Sequence, residues 1–583
     1  MSAKHIDRRR FIVKRACALI MVTALFAAVD GQVASADEVY NTNSKPPTDG
    51  RVGSNYTPAY AVNQVQFWHD FRPKVVEKEL AAAQRHFGIK TLRVYLHNIN
   101  FDEEKDVFMA NLEKFLTICE KHGIKPGFVF FDDCHRDDGI FLDKPTTPVK
   151  GWHNGRWAWC PQVRDRDPED LQKFKPYVQE VVRAHRTDKR VLFWEVFNEP
   201  TPLFRKTKWG KYSDQLKRAG YQWAKDVKPI QPVLNCNFTQ GEAWTDSDVS
   251  DIVDSHLYQS VGPAWDKKAD ANTKKGTVIT EAGARWYGPR RDFGEPCSVL
   301  HWLEDRRTAG KSTPGVYLCW ELMAGNTNTR WHWVDKAGNP EPTMPWCGLM
   351  WPDATPVSLA ESEASLRYTT GQGRALFFDD FQDSRFPQRP GWKVSGNTPG
   401  VLRVSPGPRM VTGDPEWNDY LVESLVMLKD STCSALLMVR LNYPQAGNTK
   451  SGGHYYVGFD TKTLYLGKTI NNDWQTLVTY DLGRLECKVV AGVWNHIRVE
   501  ANGNRLRVWF NRMHPSSDPE NGLRIEYTDT DMPVLSGNIG VMAVRADAWY
   551  DNLVVIPVQE AKRAERTEMP QQEPQGDGLR PAP

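Results

Sequence analysis

The chain has 583 residues, and its 74 Lys and Arg against 72 Asp and Glu leave a formal net charge of +2. This balance argues against a nucleic-acid-binding protein, which would usually show a basic domain. Hydrophobic residues at 40% and aromatic residues at 11% argue against a disordered chain. The 22 tryptophans are an unusual excess, typical of a large core or of a surface that stacks on flat ligands such as sugar rings.

Residues 1–36 have the features of an export signal. The basic run Arg8-Arg9-Arg10 precedes an apolar stretch at 16–29 that is too short to span a bilayer, and Ala34-Ser35-Ala36 fits a cleavage site. Arg8-Arg9-Arg10-Phe11-Ile12 resembles a twin-arginine signal, and an ordinary secretory signal is the alternative. We therefore expect a periplasmic or extracellular mature chain without a transmembrane segment.

Nine cysteines follow the predicted signal, and no two of them have the C-x-x-C spacing of a zinc knuckle. An odd number leaves at least one free thiol in a monomer. Cys134 with Cys160, or Cys297 with Cys347, are candidate disulfide pairs for an oxidising compartment, and the spacing leaves the pairing open.

Short apolar runs alternate with helical patterns through the first half of the mature chain. The predicted strands are 64–68, 91–96, 126–131, 191–197, 233–236, 252–257, 277–280 and 315–320. Eight strands with intervening helices predict a (β/α)₈ barrel, which we assign to residues 37–352. A doubly wound sheet would show fewer strands and a glycine-rich first turn, and neither is present.

The pattern changes after the predicted barrel. A proline- and glycine-punctuated stretch at 353–373 is predicted as a linker. Residues 374–558 then carry strands without helices, at 421–428, 434–441, 454–459, 496–501, 505–510, 538–544 and 552–557, which predicts a β-sandwich or jelly roll. Residues 559–583 have the composition of a disordered tail.

Two of the predicted barrel strands end in glutamate. Asn198-Glu199-Pro200 closes the fourth strand, and Glu281 closes the seventh. Strands four and seven are three apart around an eight-stranded ring, so both carboxyl groups can face one cleft. Such a pair is the arrangement that glycosidases use, with the separation deciding between retention and inversion of configuration.

This pattern resembles clan A glycoside hydrolases, most closely the cellulase-like family 5, over residues 55–335. The resemblance implies that Glu199 is the general acid/base and Glu281 the nucleophile. It further implies substrate-site roles for Arg93, His135, His256, Tyr258 and Trp320 at or near other strand ends. Asn198 is a candidate partner of a sugar 2-hydroxyl, and Trp157 and Trp159, in the long loop after the third strand, are candidate sugar platforms.

The C-terminal domain resembles concanavalin-like jelly-roll modules and is a candidate carbohydrate-binding module. The resemblance rests on Phe377-Phe378-Asp379-Asp380-Phe381 at its start and Trp549-Tyr550-Asp551-Asn552-Leu553 at its end. The first and last strands of such folds often lie side by side, so Asp380 and Asp551 are candidate ligands of a structural Ca²⁺. The alternative is that they only cap strands and turns.

The sequence therefore predicts an exported, monomeric, retaining β-glycoside hydrolase that acts on a polysaccharide or oligosaccharide. The chemistry needs two carboxyl groups and no cofactor. A transglycosylase that uses the same residues, and a carbohydrate-binding protein without activity, are the two alternatives.

Overall fold

The computed structural model describes residues 51–134, 139–144, 146–200, 209–236, 247–270, 275–285, 295–382, 393–394, 400–442 and 452–565. The predicted export signal lies outside these residues. Within the described ranges, no helix combines the length and the apolar character that crossing a membrane requires.

Eight parallel strands form the first domain. They are β1 (Arg51–Asn55), β2 (Thr91–Tyr95), β3 (Lys125–Asp132), β4 (Trp194–Asn198), β5 (Val233–Cys236), β6 (Val253–Leu257), β7 (Thr277–Ala282) and β8 (Val316–Cys319). Their order is β5-β4-β3-β2-β1-β8-β7-β6. The amide of Asp251, just before β6, donates to the carbonyl of Val233 in β5 at 2.8 Å and closes the ring. The predicted (β/α)₈ barrel is confirmed.

Helices surround this barrel. They are α1 (Gln64–His69), α2 (Pro73–Phe87), α3 (Asn98–Lys121), α4 (Lys175–His185), α5 (Trp209–Asp226), α6 (Pro263–Asp270), α7 (Pro296–Thr308) and α8 (Leu359–Thr370). Glycine in α5 permits close approach to the barrel, because a Cβ on Gly220 would lie 2.5 Å from Cγ1 of Val196 in β4. The helix therefore sits directly against the strand that leads to Glu199.

The first barrel strand differs from the prediction. Residues 64–68 form part of α1, and β1 lies earlier, at Arg51–Asn55. Asn63 caps α1, because its side chain accepts a hydrogen bond from the amide of Gln66. The apolar residues at 65, 67 and 68 are buried on one side of a short helix, and a run this brief does not separate a strand from a helix.

The predicted linker at 353–373 is wrong for residues 359–370, which form α8. Ser358 caps this helix at its N-terminus, and Gly371 ends it with a positive φ of 72°. The hydroxyls of Ser362 and Ser365 donate to the carbonyls of His86 and Phe87, each at 2.6 Å. The proline and glycine signals read as a linker therefore bracket the last helix of the barrel.

The second domain consists of two antiparallel sheets. The strands are β9 (Phe377–Asp379), β10 (Lys393–Val394), β11 (Leu402–Val404), β12 (Met410–Thr412), β13 (Tyr420–Leu428), β14 (Ser434–Asn442), β15 (Gly453–Phe459), β16 (Thr463–Ile470), β17 (Asp473–Asp481), β18 (Trp494–Asn502), β19 (Arg505–Phe510), β20 (Leu523–Thr528), β21 (Asn538–Val544) and β22 (Ala548–Pro557). One sheet has the order β10-β11-β22-β13-β18-β19-β20 with β9 paired to β22, and the other has the order β12-β21-β14-β15-β16-β17. The predicted β-sandwich is confirmed, and its first and last strands are adjacent.

A final helix, α9 (Val558–Glu565), occupies the start of the predicted disordered tail. The tail prediction is therefore wrong for residues 559–565, and residues 566–583 lie outside the described chain.

The two domains share buried contacts through α8. Ala360 and Ala364 of this helix belong to the same apolar cluster as Val554 and Ile556 of β22. Glu423 in β13 accepts a hydrogen bond from the amide of Leu359 at 2.7 Å. Because the helix that completes the barrel is also covered by the sandwich, we expect the two domains to stabilise each other.

Candidate active site

The two glutamates lie at the carboxyl ends of β4 and β7. Glu281 is within β7, and Glu199 follows the last residue of β4. The backbone of Glu199 has a φ of 43°, a left-handed conformation that is uncommon outside glycine, and its amide donates to the carbonyl of Cys236 at 3.1 Å. The backbone therefore turns sharply directly after β4, at the residue whose carboxyl group lies in the cleft. Uncommon backbone conformations of this kind cluster at functional sites.

Three donors surround the carboxylate of Glu281. Arg93 Nη1 donates to Oε1 at 2.6 Å and the hydroxyl of Tyr95 to the same oxygen at 2.9 Å. The hydroxyl of Tyr258 donates to Oε2 at 2.8 Å. Burial alone would raise the pKa of Glu281, but the positive charges of His256 and Arg93 and these hydrogen bonds lower it. The carboxylate is therefore held ionised.

The same arginine is fixed by a second carboxylate. Nε and Nη2 of Arg93 donate to the two oxygens of Glu195, each at 2.6 Å, and both side chains are 0% exposed. Burial raises the pKa of Glu195 to about 7, against the effect of Arg93. Glu195 therefore belongs to the barrel interior, where it holds the guanidinium in the plane that reaches Glu281.

His256 lies between the two predicted catalytic residues. Its Nδ1 is 2.5 Å from Oε1 of Glu199 and 3.4 Å from Oε2 of Glu281. Burial lowers the pKa of His256, but the negative charges of Glu281 and Glu199 outweigh burial and raise it to about 9. The imidazole is therefore protonated at neutral pH, and it donates to Glu199.

The second oxygen of Glu199 meets a thiol. Cys134 Sγ is 2.7 Å from Oε2 of Glu199. Burial, followed by the charges of Glu199 and Asp132, raises the pKa of Cys134 well above its usual value. The thiol therefore stays protonated and donates a weak hydrogen bond to the carboxylate.

Asp132, at the end of β3, organises the wall beside Glu199. Its Oδ1 accepts from Asn198 Nδ2 at 2.7 Å and from the amide of Cys134 at 2.9 Å, and its Oδ2 accepts from Trp157 Nε1 at 2.6 Å. Burial raises the pKa of Asp132 to about 7, although these three hydrogen bonds favour its ionised form. The oxygen of the Asn198 amide accepts from Arg93 at 2.7 Å, so one network connects both sides of the cleft.

Aromatic rings complete the cleft. The Trp320 ring centre lies 6.1 Å from that of Tyr95 and 6.3 Å from that of Trp157, in both cases edge to face. The Tyr258 ring centre is 5.3 Å from that of Trp333, which is 40% exposed. Trp333 therefore offers the most open aromatic face among these five residues, whereas Trp157 is 1% exposed and packs behind Asp132.

The structure brings most of the predicted site residues together. Arg93, Asn198, Glu199, His256, Tyr258, Glu281, Trp157 and Trp320 form one cluster. His135 lies outside the described residues. Trp159 packs against Arg166, with the guanidinium carbon 4.7 Å from its ring centre. The sugar-binding roles of Trp157 and Trp159 stay predictions.

Tyr95, Glu195 and Cys134 contact the predicted site residues directly and were not assigned to the site from the sequence. Tyr95 lies two residues after Arg93 in β2, and alternate residues of a strand point to the same side. Strand alternation was therefore a usable signal for Tyr95. It was not one for Glu195, because Glu195 and Asn198 both contact Arg93 although they are three residues apart, and the pairing of β4 with β5 shifts register between them. Nothing in the sequence around Cys134 indicates its contact with Glu199.

One oxygen of Glu199, one oxygen of Glu281 and a ring nitrogen of His256 lie within 4.8 Å of one another. A metal ion would need neutral His256, but the neighbouring carboxylates favour its protonated form, so this cluster is a poor metal site.

In the sandwich, β9 and β22 pair with Asp379 opposite Leu553, which brings Asp380 close to Asp551 in the fold. The Ca²⁺ site on these two residues stays a prediction.

All nine cysteines of the described chain are free thiols. Cys134 contacts Glu199, and the Sγ of Cys160 is 3.4 Å from Oδ1 of Asn98. Neither of the candidate disulfide pairs is formed.

No family model and no curated protein matches the chain. Among solved structures, GH5_18 from Streptomyces cattleya in complex with GlcNAc is similar at 15% identity, over 55% of this chain and 81% of that one, with a TM-score of 0.40. Exo-beta-1,4-mannosidase Op5Man5 from Opitutaceae bacterium strain TAV5 is similar at 15% identity, over 58% and 64%, with a TM-score of 0.38.

The carbohydrate binding module CBM66 from Bacillus subtilis is similar at 18% identity, over 28% of this chain and 90% of that one, with a TM-score of 0.20.

Proposed function

We propose that the protein is a retaining β-glycoside hydrolase acting on a polysaccharide or oligosaccharide. The observation that carries the proposal is the short distance between the two strand-end carboxylates, whose facing oxygens lie within 4.8 Å of each other. Retaining enzymes hold their carboxyl groups about 5–5.5 Å apart, whereas inverting enzymes leave about 6.5–9.5 Å for a water molecule. The cleft favours direct attack by a carboxylate.

Glu281 is the nucleophile in this mechanism. Its carboxylate is kept ionised by Arg93, His256 and Tyr258, so an oxygen lone pair is available to attack the anomeric carbon. The C–O bond to the leaving group breaks as the bond to Glu281 forms, and the product of this step is a covalent glycosyl-enzyme.

Glu199 is the acid and then the base. Both oxygens of Glu199 accept hydrogen bonds, from His256 and from Cys134, so the proton for the leaving oxygen comes from the protonated imidazole of His256, which passes it to Glu199 across their 2.5 Å contact. In the first step Glu199 gives this proton to the leaving oxygen, and in the second it takes a proton from the water that attacks the glycosyl-enzyme and returns it to His256. Asn198, whose amide is oriented by Arg93 and Asp132, has one further N–H for the sugar 2-hydroxyl.

The test is hydrolysis of a panel of aryl β-glycosides and natural β-glycans by the wild type, Glu199→Gln and Glu281→Gln. Both variants should lose activity by several orders of magnitude. Glu79→Gln is a matched control outside the cleft, because burial raises the pKa of Glu79 to about 8 and its carboxyl accepts from Tyr56 in the barrel wall. Equal inactivity of the wild type and both cleft variants on every substrate would contradict the proposal and favour a binding protein.

A transglycosylase would use the same residues and exclude water from the second step. Release of free sugar in proportion to the aryl group distinguishes hydrolysis from transfer to a second sugar.

We further propose that the mature chain is exported as a monomer. Support for export is the arginine pair Arg8-Arg9 ahead of the apolar run. Replacing both arginines with lysine should retain the precursor in the cytoplasm.

We also propose that Asp380 and Asp551 bind a structural Ca²⁺. Removing Ca²⁺ should then lower the unfolding temperature of the wild type but not that of Asp551→Asn.

A further inference from the structure

The ring nitrogen of His256 that faces away from the cleft begins a chain of hydrogen bonds. Nδ1 of His256 contacts Glu199 and Glu281, whereas Nε2 lies 3.2 Å from the hydroxyl oxygen of Thr280 in β7. The same oxygen is 2.6 Å from Oδ2 of Asp254 in β6. Because His256, Thr280 and Asp254 are 3%, 0% and 6% exposed, water does not compete for these bonds.

A β-bulge brings the three side chains together. Asp254 and His256 are two residues apart in β6, so their side chains point to the same side. The pairing of β6 with β7 shifts register after Ser255, which leaves Thr280 as the extra residue of the bulge. Bulges re-aim side chains and are frequent next to active sites, and here the bulge directs the Thr280 hydroxyl between Asp254 and His256.

The donors around Asp254 fix the direction of the chain. Its Oδ1 accepts from the amides of Ser255 at 2.6 Å and Thr280 at 3.2 Å. Burial raises the pKa of Asp254, but the charges of His256 and Arg93 and the bond from Thr280 favour its ionised form. A carboxylate only accepts, so the Thr280 hydroxyl donates its single proton to Oδ2 and accepts from Nε2 of His256. Nε2 therefore carries a proton.

The groups around the imidazole favour its charged form. The charged and titratable side chains that surround it are Arg93 of β2, Glu195 of β4, Glu199 after β4, Cys236 of β5, Asp254 of β6 and Glu281 of β7. Burial raises the pKa of the Cys236 thiol well above its usual value, so this thiol adds no charge. Each N–H of the imidazolium has an acceptor, Glu199 at Nδ1 and Thr280 at Nε2.

We propose that Asp254 and Thr280 are positioning residues that keep a proton on Nε2 of His256 and so make its imidazole a charged proton store for Glu199. In the first step the Nδ1–H bond breaks, the proton passes through Glu199 to the leaving oxygen, and Nε2 keeps its own proton. In the second step a proton of the attacking water returns through Glu199 to Nδ1. The transfer to Glu199 rests on the proposed function, whereas the proton on Nε2 does not.

Asp254→Asn should reverse the chain of hydrogen bonds. The amides of Ser255 and Thr280 both donate at the Oδ1 position, so the oxygen of the new carboxamide stays there and its NH₂ group faces the Thr280 hydroxyl. That hydroxyl then accepts from the NH₂ group and donates to Nε2 of His256, which must give up its proton. The glutamates hold the remaining proton on Nδ1, so the neutral ring has none to supply.

The experiment follows the ring nitrogens of His256 by ¹⁵N NMR in the full mature chain labelled with ring-¹⁵N histidine, from about pH 6 to about pH 10. His256→Gln identifies the signals by their absence. In the wild type both nitrogens should be protonated at neutral pH, with half-protonation at about pH 9. Asp254→Asn and Thr280→Val should lower this midpoint by about one to two pH units, because each removes support for the charged ring. In Asp254→Asn the nitrogen that loses its proton should be Nε2.

Two further variants are controls. Thr280→Ser keeps the hydroxyl and should titrate like the wild type. Thr91→Val removes another buried threonine hydroxyl, which donates to the carbonyl of Lys125 at 2.9 Å in the barrel wall, and it should also titrate like the wild type. An equal midpoint in the wild type, Asp254→Asn and Thr280→Val would overturn the proposal, as would an unprotonated Nε2 in the wild type at neutral pH.

The alkaline limb of kcat/KM on an aryl β-glycoside tests the transfer from His256 to Glu199. Its midpoint should fall in Asp254→Asn by the same amount as the NMR midpoint, because only the charged ring supplies the proton. An unchanged alkaline limb beside a lowered NMR midpoint would overturn the proton store. If the wild type hydrolyses no glycoside, the proposed function fails, and the NMR titration still decides whether Asp254 and Thr280 hold the proton on Nε2.

Discussion

Arg93 joins the two carboxylates of Glu195 and Glu281 through one guanidinium, with nitrogen–oxygen distances of 2.6 Å to both residues. Glu195 binds it through both of its oxygens, which fixes the plane of the group, and the remaining nitrogen reaches Glu281. The charge that keeps the proposed nucleophile ionised is therefore positioned by a residue of the barrel interior, which does not contact Glu281 through any described hydrogen bond.

Arg93→Lys should lower kcat/KM by about a hundredfold, because a lysine cannot reproduce the planar fork that serves both carboxylates. The substitution also removes the hydrogen bond from the guanidinium to Glu281, which favours the protonated form of that carboxyl group. The pH at the midpoint of the acidic limb of the kcat/KM profile should therefore rise by about one unit. Measuring kcat/KM from pH 4 to 9 tests both effects.

Arg285→Lys is the matched control for Arg93→Lys. Arg285 is also buried and paired with a carboxylate, Glu361, but this pair lies outside the cluster around Glu281. The control should lose stability without moving the acidic limb, and an unmoved limb in Arg93→Lys would contradict the role of Arg93.

His256 makes folding stability depend on pH. Its pKa is raised to about 9 in the folded chain, above about 6.5 in the unfolded chain. Its contribution is therefore fully present below pH 6.5 and is lost as the pH rises to about 9. Urea unfolding across this window should show roughly 3 kcal/mol more loss in the wild type than in His256→Gln.

His86→Gln is the control for that difference, because burial lowers the pKa of His86 to about 3 and its ring stays neutral across the window. Parallel curves for the wild type and His256→Gln would show that His256 is not protonated between the two glutamates.

Tyr258→Phe should reduce kcat by about tenfold to a hundredfold, because the lost hydroxyl donates to the carboxylate of Glu281, and such bonds contribute about 1.5–3 kcal/mol. Tyr317→Phe, which removes a buried tyrosine hydroxyl in β8, is the matched control. Within the described chain the Tyr317 hydroxyl has no hydrogen-bond partner, so this variant should keep its activity. Equal effects of the two substitutions would indicate loss of packing rather than loss of a specific donor.

Cys134→Ala and Cys134→Ser test whether the thiol holds the proposed acid/base residue in place. Cys134→Ala removes the donor that contacts Oε2 of Glu199 and should lower kcat by about threefold to tenfold. Cys134→Ser keeps a donor at this position and should lower kcat by less. Equal losses of kcat in the two variants would exclude a hydrogen bond from Cys134 as the cause.

The barrel could be predicted because strand-length apolar runs recur between amphipathic helices. Seven of the eight strands follow this signal. The exception is β1, because the apolar residues of the short helix α1, which comes just after β1, fit a strand pattern as well. The sequence predicts a linker where the last helix lies, because Pro352, Pro356 and Gly371 surround it and proline and glycine are also typical of loops.

The glutamates of the site could be predicted because strand-end carboxylates converge on one face of a barrel. Their environment was harder to predict. The contacts of Glu195 and Cys134 depend on side-chain direction and on which strands face each other across the barrel, and a single sequence gives neither. The pairing of Asp133 with Arg166 likewise depends on how the loop after β3 folds back.

The configuration of the first product tests the central claim most directly. The wild type is given an aryl β-glycoside, and the anomeric protons of the released sugar are followed by NMR before mutarotation. Double displacement through Glu281 predicts that the β-anomer forms first. An α-anomer as the first product would contradict it, because a single displacement by water inverts the configuration.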